Sequence, residues 1–392
     1  MGLQIYGLQM PIGSKKYMLV STWYNPTKIY FGSGNLALLG SLIEEQAGKD
    51  ATVFLVTGKT FLRQHGLLEK ILQYCSSTTV HLFDKVVPFP SPALVDQAIE
   101  ECRKSRADVI VAVGGGSALD LAKVVATLVP QKGFTGDYFT GKKTMLPETL
   151  PFIAVPTTSG SSSEVTPFAP LWDMETPQKF AITGPHMFPA IALVDPDLTL
   201  TMPKKLAAAT GMDAFTSAFE SYWSTDSHPV SEGINLEVIR LFRDNLVKSC
   251  STDDVLARSN CAYAATMSGV AYSNVRPNVC HALGVPLSLL FGMDHGESVG
   301  ITLPLILKAC EQQLMDKISP LLQAFSVETF DELVETLVLM MKQCGLKTNF
   351  NGMGIDERAI DRMLDYIEWE RLARCPVMFD RQGVKDIYLQ LL

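Results

Sequence analysis

The chain has 392 residues, 47% hydrophobic and 19% charged, with a formal net charge of −8. That length exceeds one ordinary core and predicts two domains with ample buried interior. Scattered Lys and Arg under a negative balance exclude the basic stripe of a nucleic-acid binder, and no apolar run reaches the roughly 18 residues of a membrane span.

Residues 1–17 place Lys15 and Lys16 after their apolar residues, the reverse of a secretory signal. The eight cysteines include no C-x-x-C pair, so reduced thiols in a cytoplasmic protein are expected. Cys280 reads as a buried structural thiol.

Strands are predicted over Lys28–Phe31, Thr52–Val56, Thr79–Phe83, Val109–Val113, Phe152–Val155 and Ile191–Val194. Helical patterns such as Leu94–Ser105 and Ala118–Leu128 lie between them, the alternation of a parallel sheet covered by helices. Pro88, Pro90 and Pro92 keep the backbone extended before the first of these helices. Beyond Asp195-Pro196 the strand signals nearly vanish, and 3.6-residue periodicity fills 204–224, 230–248, 253–271, 298–325, 328–344 and 356–369. The fold expected is α/β plus all-α, with a Rossmann-like domain over 1–195 and a helical domain over 196–392.

Two loops carry chemistry in the first half. Val109–Val113 runs into Gly114-Gly115-Gly116-Ser117 and then a helix. Free amides and the helix dipole converge at such a junction, glycines admit a phosphate closely, and Ser117 can cap the helix. A tight strand–helix turn is the plainer alternative. The second loop, Pro156–Thr166, holds seven hydroxyl side chains in eleven positions. It is either merely solvated or a donor set for phosphate and ribose oxygens. Each loop follows a predicted parallel strand, the edge where open α/β sheets bind ligands.

In the second half, His281 and His295, two of only six histidines, stand on an apolar background. With Asp213 they can supply three ligands to a divalent metal and leave a position open for a substrate oxygen.

Gly114–Lys123, Pro156–Thr166, Gly211-Met212-Asp213 and the His281/His295 segment together resemble the iron-containing (group III) alcohol dehydrogenases, and the likeness runs from Tyr24-Asn25-Pro26 and Phe31-Gly32 into the helical half. The resemblance implies a dehydroquinate synthase-like pair of domains with NAD(P) and a divalent metal, Fe or Zn, in the cleft between them. It places Gly114, Gly115, Gly116, Ser117, Asp120 and Lys123 on the pyrophosphate and ribose. Thr157, Thr158 and Ser161 line the other side of the cofactor, and Lys179 reaches the ribose near the nicotinamide. Asp213, His281 and His295 fall on metal-ligand positions. It also implies a homo-oligomer, commonly a dimer.

The departures from the family pattern are specific. Ser217 stands where the pattern has a ligand His, and Val285 where it has a further active-site His. Ser217 is left to bind weakly or through water. Arg276 replaces a small residue: a guanidinium at the nicotinamide end favours an anionic substrate, whereas one turned outward makes only a salt bridge. Trp23–Pro26 and Glu220–Ser224 resemble the phosphonoacetaldehyde reductase branch. Gly58 stands where many NAD-specific relatives carry an acid, and Lys59 adds a cation beside it, which leans the cofactor to NADP. The activity expected is hydride transfer between NAD(P)H and a small aldehyde or alcohol, with Asp213, His281, His295 and Arg276 as the catalytic set. Without a His at 285, the proton falls to water, a ribose hydroxyl, or His186 or His228, each of which reads as a surface residue; His65 and His81 read as structural. A metal-independent reductase comparable to the maleylacetate reductases, or a nucleotide-binding relative without activity, is the alternative.

Overall fold

The computed structural model describes residues 22–174, 177–251 and 253–392. The segment weighed as a secretory signal lies outside them. Six parallel strands form one sheet in the order β1 (Lys28–Phe31), β8 (Ile191–Val194), β5 (Phe152–Pro156), β4 (Val109–Gly114), β2 (Thr52–Gly58) and β3 (Thr79–Val86). Every residue of β4 and β5 is buried, as expected where helices cover both faces of a parallel sheet. One face packs Phe54, Val56, Ile110 and Ala112 with the helices Pro92–Ser105 and Gly116–Leu128. The other packs Val53, Leu55, Val109 and Val111 against Leu39, Ile43 and Ile71. The Pro92–Ser105 helix begins where Pro92 follows the Ser91 cap, whose side chain accepts from the Leu94 amide at 3.3 Å.

The order reverses between β2 and β4: β3 lies outside β2, and β4, β5 and β8 continue on the opposite side. A crevice opens at such a reversal, outside the carboxyl ends of the strands. Gly58, Gly114 and Pro156 all end at that edge, with Gly114 and Pro156 in register.

Beyond β8 the chain is helical. Its core centres on Phe215, Phe219, Phe242 and Phe325 and takes in Leu283, Leu287 and Leu307. Long helices span Lys204–Trp223, Pro229–Ser251, Val255–Tyr272 and Phe330–Gln343. The last starts at a reciprocal Thr329–Glu332 capping box. Among the described residues no helix is long and apolar enough to cross a membrane.

Among the elements that differ from the sequence expectation, three lie around the site. An antiparallel hairpin, β6 (Phe168–Asp173) and β7 (Gln178–Thr183), lies outside the main sheet. Pro170 inside β6 masks the strand signal, and a two-stranded ribbon tolerates it. The helix Val279–Phe291 is absent from the periodic segments, because it is buried on nearly every face and shows no amphipathic period. The single helix expected over 298–325 is broken into His295–Gly300, Leu303–Ala309 and Met315–Phe325. Pro304 sits in the first turn of the second piece, where the missing amide costs nothing, and cannot continue the helix before it.

Candidate active site

The glycine junction forms as the sequence suggested, with one change. Gly115, not Ser117, is the N-cap of the Gly116–Leu128 helix, and no side chain caps it. The amides of the open first turn are therefore left facing the crevice. Gly115, Gly116 and Ser117 are half-buried, while the residues before and after them are fully buried. The hydroxyl loop closes against this turn: the Thr157 amide donates to the Gly114 carbonyl at 2.9 Å. A Cβ on Gly116 would lie 2.6 Å from that of Ser161, so the approach of the two loops requires glycine there.

Lys123 is not on the open side of this cradle. It is 1% exposed, and its Nζ donates to Ser163 Oγ (2.8 Å), Thr166 Oγ1 (3.1 Å) and the Phe168 carbonyl (2.8 Å). Ser163 Oγ in turn donates to Asp120 Oδ1 at 2.6 Å. Lys123 and Asp120 thus pin the hydroxyl loop from behind. The helical half braces the same loop. Ser162 Oγ donates to the Ala265 carbonyl at 2.6 Å, and Tyr272 Oη donates to the Ser161 carbonyl. Gly58 ends β2 at the same edge and Lys59 is exposed beside it.

Asp213, His281 and His295 converge. Each offers one ligand atom, and these atoms all lie within 4.8 Å of one another. Asp213 projects from Lys204–Trp223, His281 from Val279–Phe291, and His295 from the start of His295–Gly300. His281 Nε2 lies 3.3 Å from Asp213 Oδ1 and 3.5 Å from Ser217 Oγ. The site is enclosed: His281 is 6% exposed and Ser217 2%. Burial pushes the His295 ring down to about 4, with the Lys179 and Arg371 charges adding to it against Asp213, so the ring is neutral at pH 7. Burial acts to raise the Asp213 carboxyl, but the His295 and His281 rings outweigh it and hold it low. A neutral imidazole and an ionised carboxylate are the forms that bind metal.

These residues fit a divalent ion. His295 Nδ1 is buried with no hydrogen-bond partner among the described residues, an arrangement that is costly unless something absent from the protein chain satisfies it. Two imidazoles and a carboxylate suit Zn or Fe.

Glu220 entered the sequence reading only as the first residue of the Glu220–Ser224 motif and was given no role in the site. It lies seven residues after Asp213, two turns along the same helix, and is 0% exposed. Its Oε2 accepts from His281 Nδ1 at 2.5 Å, and its Oε1 accepts from the Cys280 amide at 2.5 Å. The contact fixes the His281 tautomer and turns Nε2 towards Asp213. Burial lowers the His281 ring, yet the Glu220 and Asp213 carboxylates outweigh it and raise the ring above its ordinary value. Carboxylate partners of this kind commonly contribute 10- to 100-fold in metal affinity. Glu220→Gln is therefore expected to weaken metal binding by about 10- to 100-fold, read by competition with a chromophoric chelator; an unchanged affinity would refute that role.

A cavity of about 550 Å³ opens at Val285, one turn beyond His281, and is lined also by Lys179, Leu289, Tyr366, Ile367 and Glu368, among others. Val285 and Leu289 lie one and two turns after His281, on its face of the helix. They pack with Trp172, whose ring is 5.9 Å from that of His295. Lys179 Nζ lies 5.0 Å from the Trp172 ring centroid and 3.5 Å from Glu368 Oε2. Arg276 donates to Thr183 Oγ1 at 2.7 Å, lies over Phe168 and makes no ion pair among the described residues. His65, His81 and His186 are exposed and His228 half-buried. Cys280, like the other seven cysteines, is free and buried.

Comparison with known proteins agrees over both halves of the chain. Residues 26–196 match the family described as iron-containing alcohol dehydrogenase, and residues 207–392 match the C-terminal part of the Fe-containing alcohol dehydrogenase family. A long-chain-alcohol dehydrogenase of Geobacillus thermodenitrificans is 33% identical over 89% of this chain and 92% of its own. An NADPH-dependent butanol dehydrogenase of Clostridium saccharobutylicum is 32% identical over 92% of this chain and 94% of its own. Among solved structures, sulfoacetaldehyde reductase from Bifidobacterium kashiwanohense in complex with NAD+ superposes with a TM-score of 0.90 at 26% identity, covering 95% of this chain and 99% of that one.

Proposed function

The chain belongs to the iron-containing alcohol dehydrogenase family, and from that premise we propose that it reduces a small, anionic aldehyde with NADPH, reversibly. The convergence of Asp213, His281 and His295 beside the cavity carries the reading. These three residues would hold Fe or Zn, with Ser217 on the fourth side at 3.5 Å from His281 Nε2. A divalent ion there polarises a carbonyl and stabilises the developing oxyanion. Gly114, Gly115, Gly116 and Ser117 receive the pyrophosphate, and Thr157, Thr158 and Ser161 line its other side. Asp120 and Lys123 hold the hydroxyl loop in place, and Lys179 serves the nicotinamide end. The division of labour falls at 195/196, a break supported by the end of β8 at Val194 and the start of the first long helix at Lys204.

The finer points have separate support. Gly58 and Lys59 at the crevice edge leave a 2′-phosphate unopposed and place a cation beside it. Arg371 lowers the pKa of both Lys179 and Arg276, and Arg374 that of Arg276, while Glu368 pairs with Lys179 and Arg371 and Asp226 with Arg374. That local excess of cations favours an anionic substrate group. Eight free cysteines suit a cytoplasmic protein. β1 pairs only with β8 among the described residues, and Ile29 and Phe31 are exposed on it, which supports a homodimer.

A panel of neutral and anionic aldehydes of equal length, including phosphonoacetaldehyde, tests the proposal with NADH and NADPH and with chelator or added Fe²⁺ or Zn²⁺. The expected result is at least a tenfold higher kcat/KM for the anionic member and for NADPH. Equal values across the charge pair would remove the anion preference, and no turnover of any aldehyde would remove the activity. Full turnover after exhaustive chelation would favour the metal-independent alternative, for which Ser217 and Val285 are the supporting residues.

A further inference from the structure

We propose that Lys179 is the proton donor to the substrate oxygen during aldehyde reduction, and that Glu368 connects it to solvent. The proposal rests on the dehydrogenase reading above and adds the proton path that reading lacks. It starts from position 285. Val285 carries no titratable group, yet it faces the cavity one turn after His281. Of the described side chains lining that cavity, Lys179 is the only one with an N–H cation. Its side chain is 5% exposed, whereas Glu368 is 30% exposed. The amine is thus held inside, in contact with a carboxylate that reaches towards water.

The surroundings define the lysine's task. Trp172, paired with Lys179 across the hairpin, lies under Nζ, and its ring stands at 71° to the His295 ring with centroids 5.9 Å apart. From the helical side, Glu368 Oε2 faces Nζ at 3.5 Å and is shared with Arg371 Nε at 2.9 Å. The charge of Asp213 raises the Lys179 pKa, and that of Arg371 lowers it. Asp120 and His295 also feel the lysine. Burial is the largest influence, and the ammonium is brought down to about 8. An acid poised near working pH gives a proton readily and recovers it readily.

The step balances. The carbonyl carbon receives a hydride with its electron pair from the reduced nicotinamide, which becomes oxidised. The C=O π pair moves to oxygen, and that oxygen takes a proton from Lys179 Nζ. The alcohol leaves, and the neutral amine regains a proton from water through the Glu368 carboxylate. In the reverse direction the neutral amine accepts the alcohol proton.

Lys179→Met is the decisive variant. Its kcat for aldehyde reduction at saturating cofactor is expected to fall at least 100-fold. Its cofactor Kd, read by fluorescence titration, is expected to stay within about fivefold, and added methylamine to restore part of the rate. Normal kcat with a raised cofactor Kd would overturn the proposal and leave Lys179 a ribose ligand. A fallen kcat that no amine restores would also overturn it. Glu368→Gln provides a readout that a merely structural role would not move. For a required ammonium, kcat/KM falls as pH rises through the lysine pKa. Removing the carboxylate that raises this pKa should move the falling limb to lower pH, and an unmoved limb would count against the relay. Wild-type turnover in the same assay tests the dehydrogenase reading itself: its absence would defeat both, whereas its presence isolates Lys179.

Discussion

Replacing Asp213 by Asn is expected to abolish stoichiometric metal binding and to lower kcat/KM for aldehyde reduction at least 1000-fold. Asn preserves the size of the side chain and removes only the charge, so packing in the Lys204–Trp223 helix should survive. Asp213 is the single carboxylate among the three converging side chains. Without it, two imidazoles and a serine hydroxyl remain to hold a dication in an enclosed site. Lewis-acid stabilisation of an oxyanion is worth several kcal/mol, and each 1.36 kcal/mol is tenfold in rate. The measurement is metal content by mass spectrometry beside steady-state kinetics on one preparation. Asp294→Asn is the matched control: its carboxylate pairs with Lys205 at 2.8 Å on the surface, with 76% of the lysine and 47% of the aspartate side chain exposed. Exposed pairs of this kind contribute little, so activity should stay within about twofold. A D213N protein with full metal and full rate would show that the cluster is not the reactive centre.

The sequence carried the sheet, the glycine junction and the three metal-facing side chains, and each was legible for a local reason. β4 is a buried strand that ends in three glycines, a pattern readable without any partner. His281 and His295 stood out because histidine is scarce and their surroundings are apolar. The helix carrying His281 was not legible, since burial on all faces erases the period that reveals a helix. The role of Glu220 beside His281 was missed because an acid within an alanine- and phenylalanine-rich helix looks like a solvent-facing residue. Its spacing of seven from Asp213 was the available signal, placing both on one face. Glu368 could not be found at all from local sequence. It meets Lys179 across 189 positions, and only the fold brings the β6–β7 ribbon against the carboxyl-terminal helices. The outcome at Arg276 also depends on tertiary context, because Thr183 and Phe168, which hold the guanidinium, lie some ninety residues or more earlier.

Gly296→Ala is expected to cost at least 100-fold in kcat/KM and to lower Tm by several degrees, although the added methyl carries no charge and lies beside, not within, the ligand set. A Cβ at this position would fall 1.7 Å from the Ala209 carbonyl oxygen and 3.0 Å from Asp213 Cβ. The obstacle is helix backbone, which cannot swing aside as a side-chain end can. The start of the His295–Gly300 helix must therefore retreat from the Lys204–Trp223 helix, and His295 retreats with it. Overpacking of this kind typically costs about 1–3 kcal/mol, and misplacing a reactive group by about 1 Å can cost 10²-fold. Stability and activity should consequently fall together, with metal affinity falling as well. Gly233→Ala supplies the opposite case: it lies inside the Pro229–Ser251 helix, and a Cβ added there would meet nothing within 4 Å. There the same substitution should raise stability by up to about 1 kcal/mol, because alanine is the better helix former. Calorimetry and kinetics on the two variants separate a general response to Gly→Ala from the loss of one interhelical approach. If G296A kept its metal, its rate and its Tm, the close seating of His295 against Asp213's helix would not be what assembles this site.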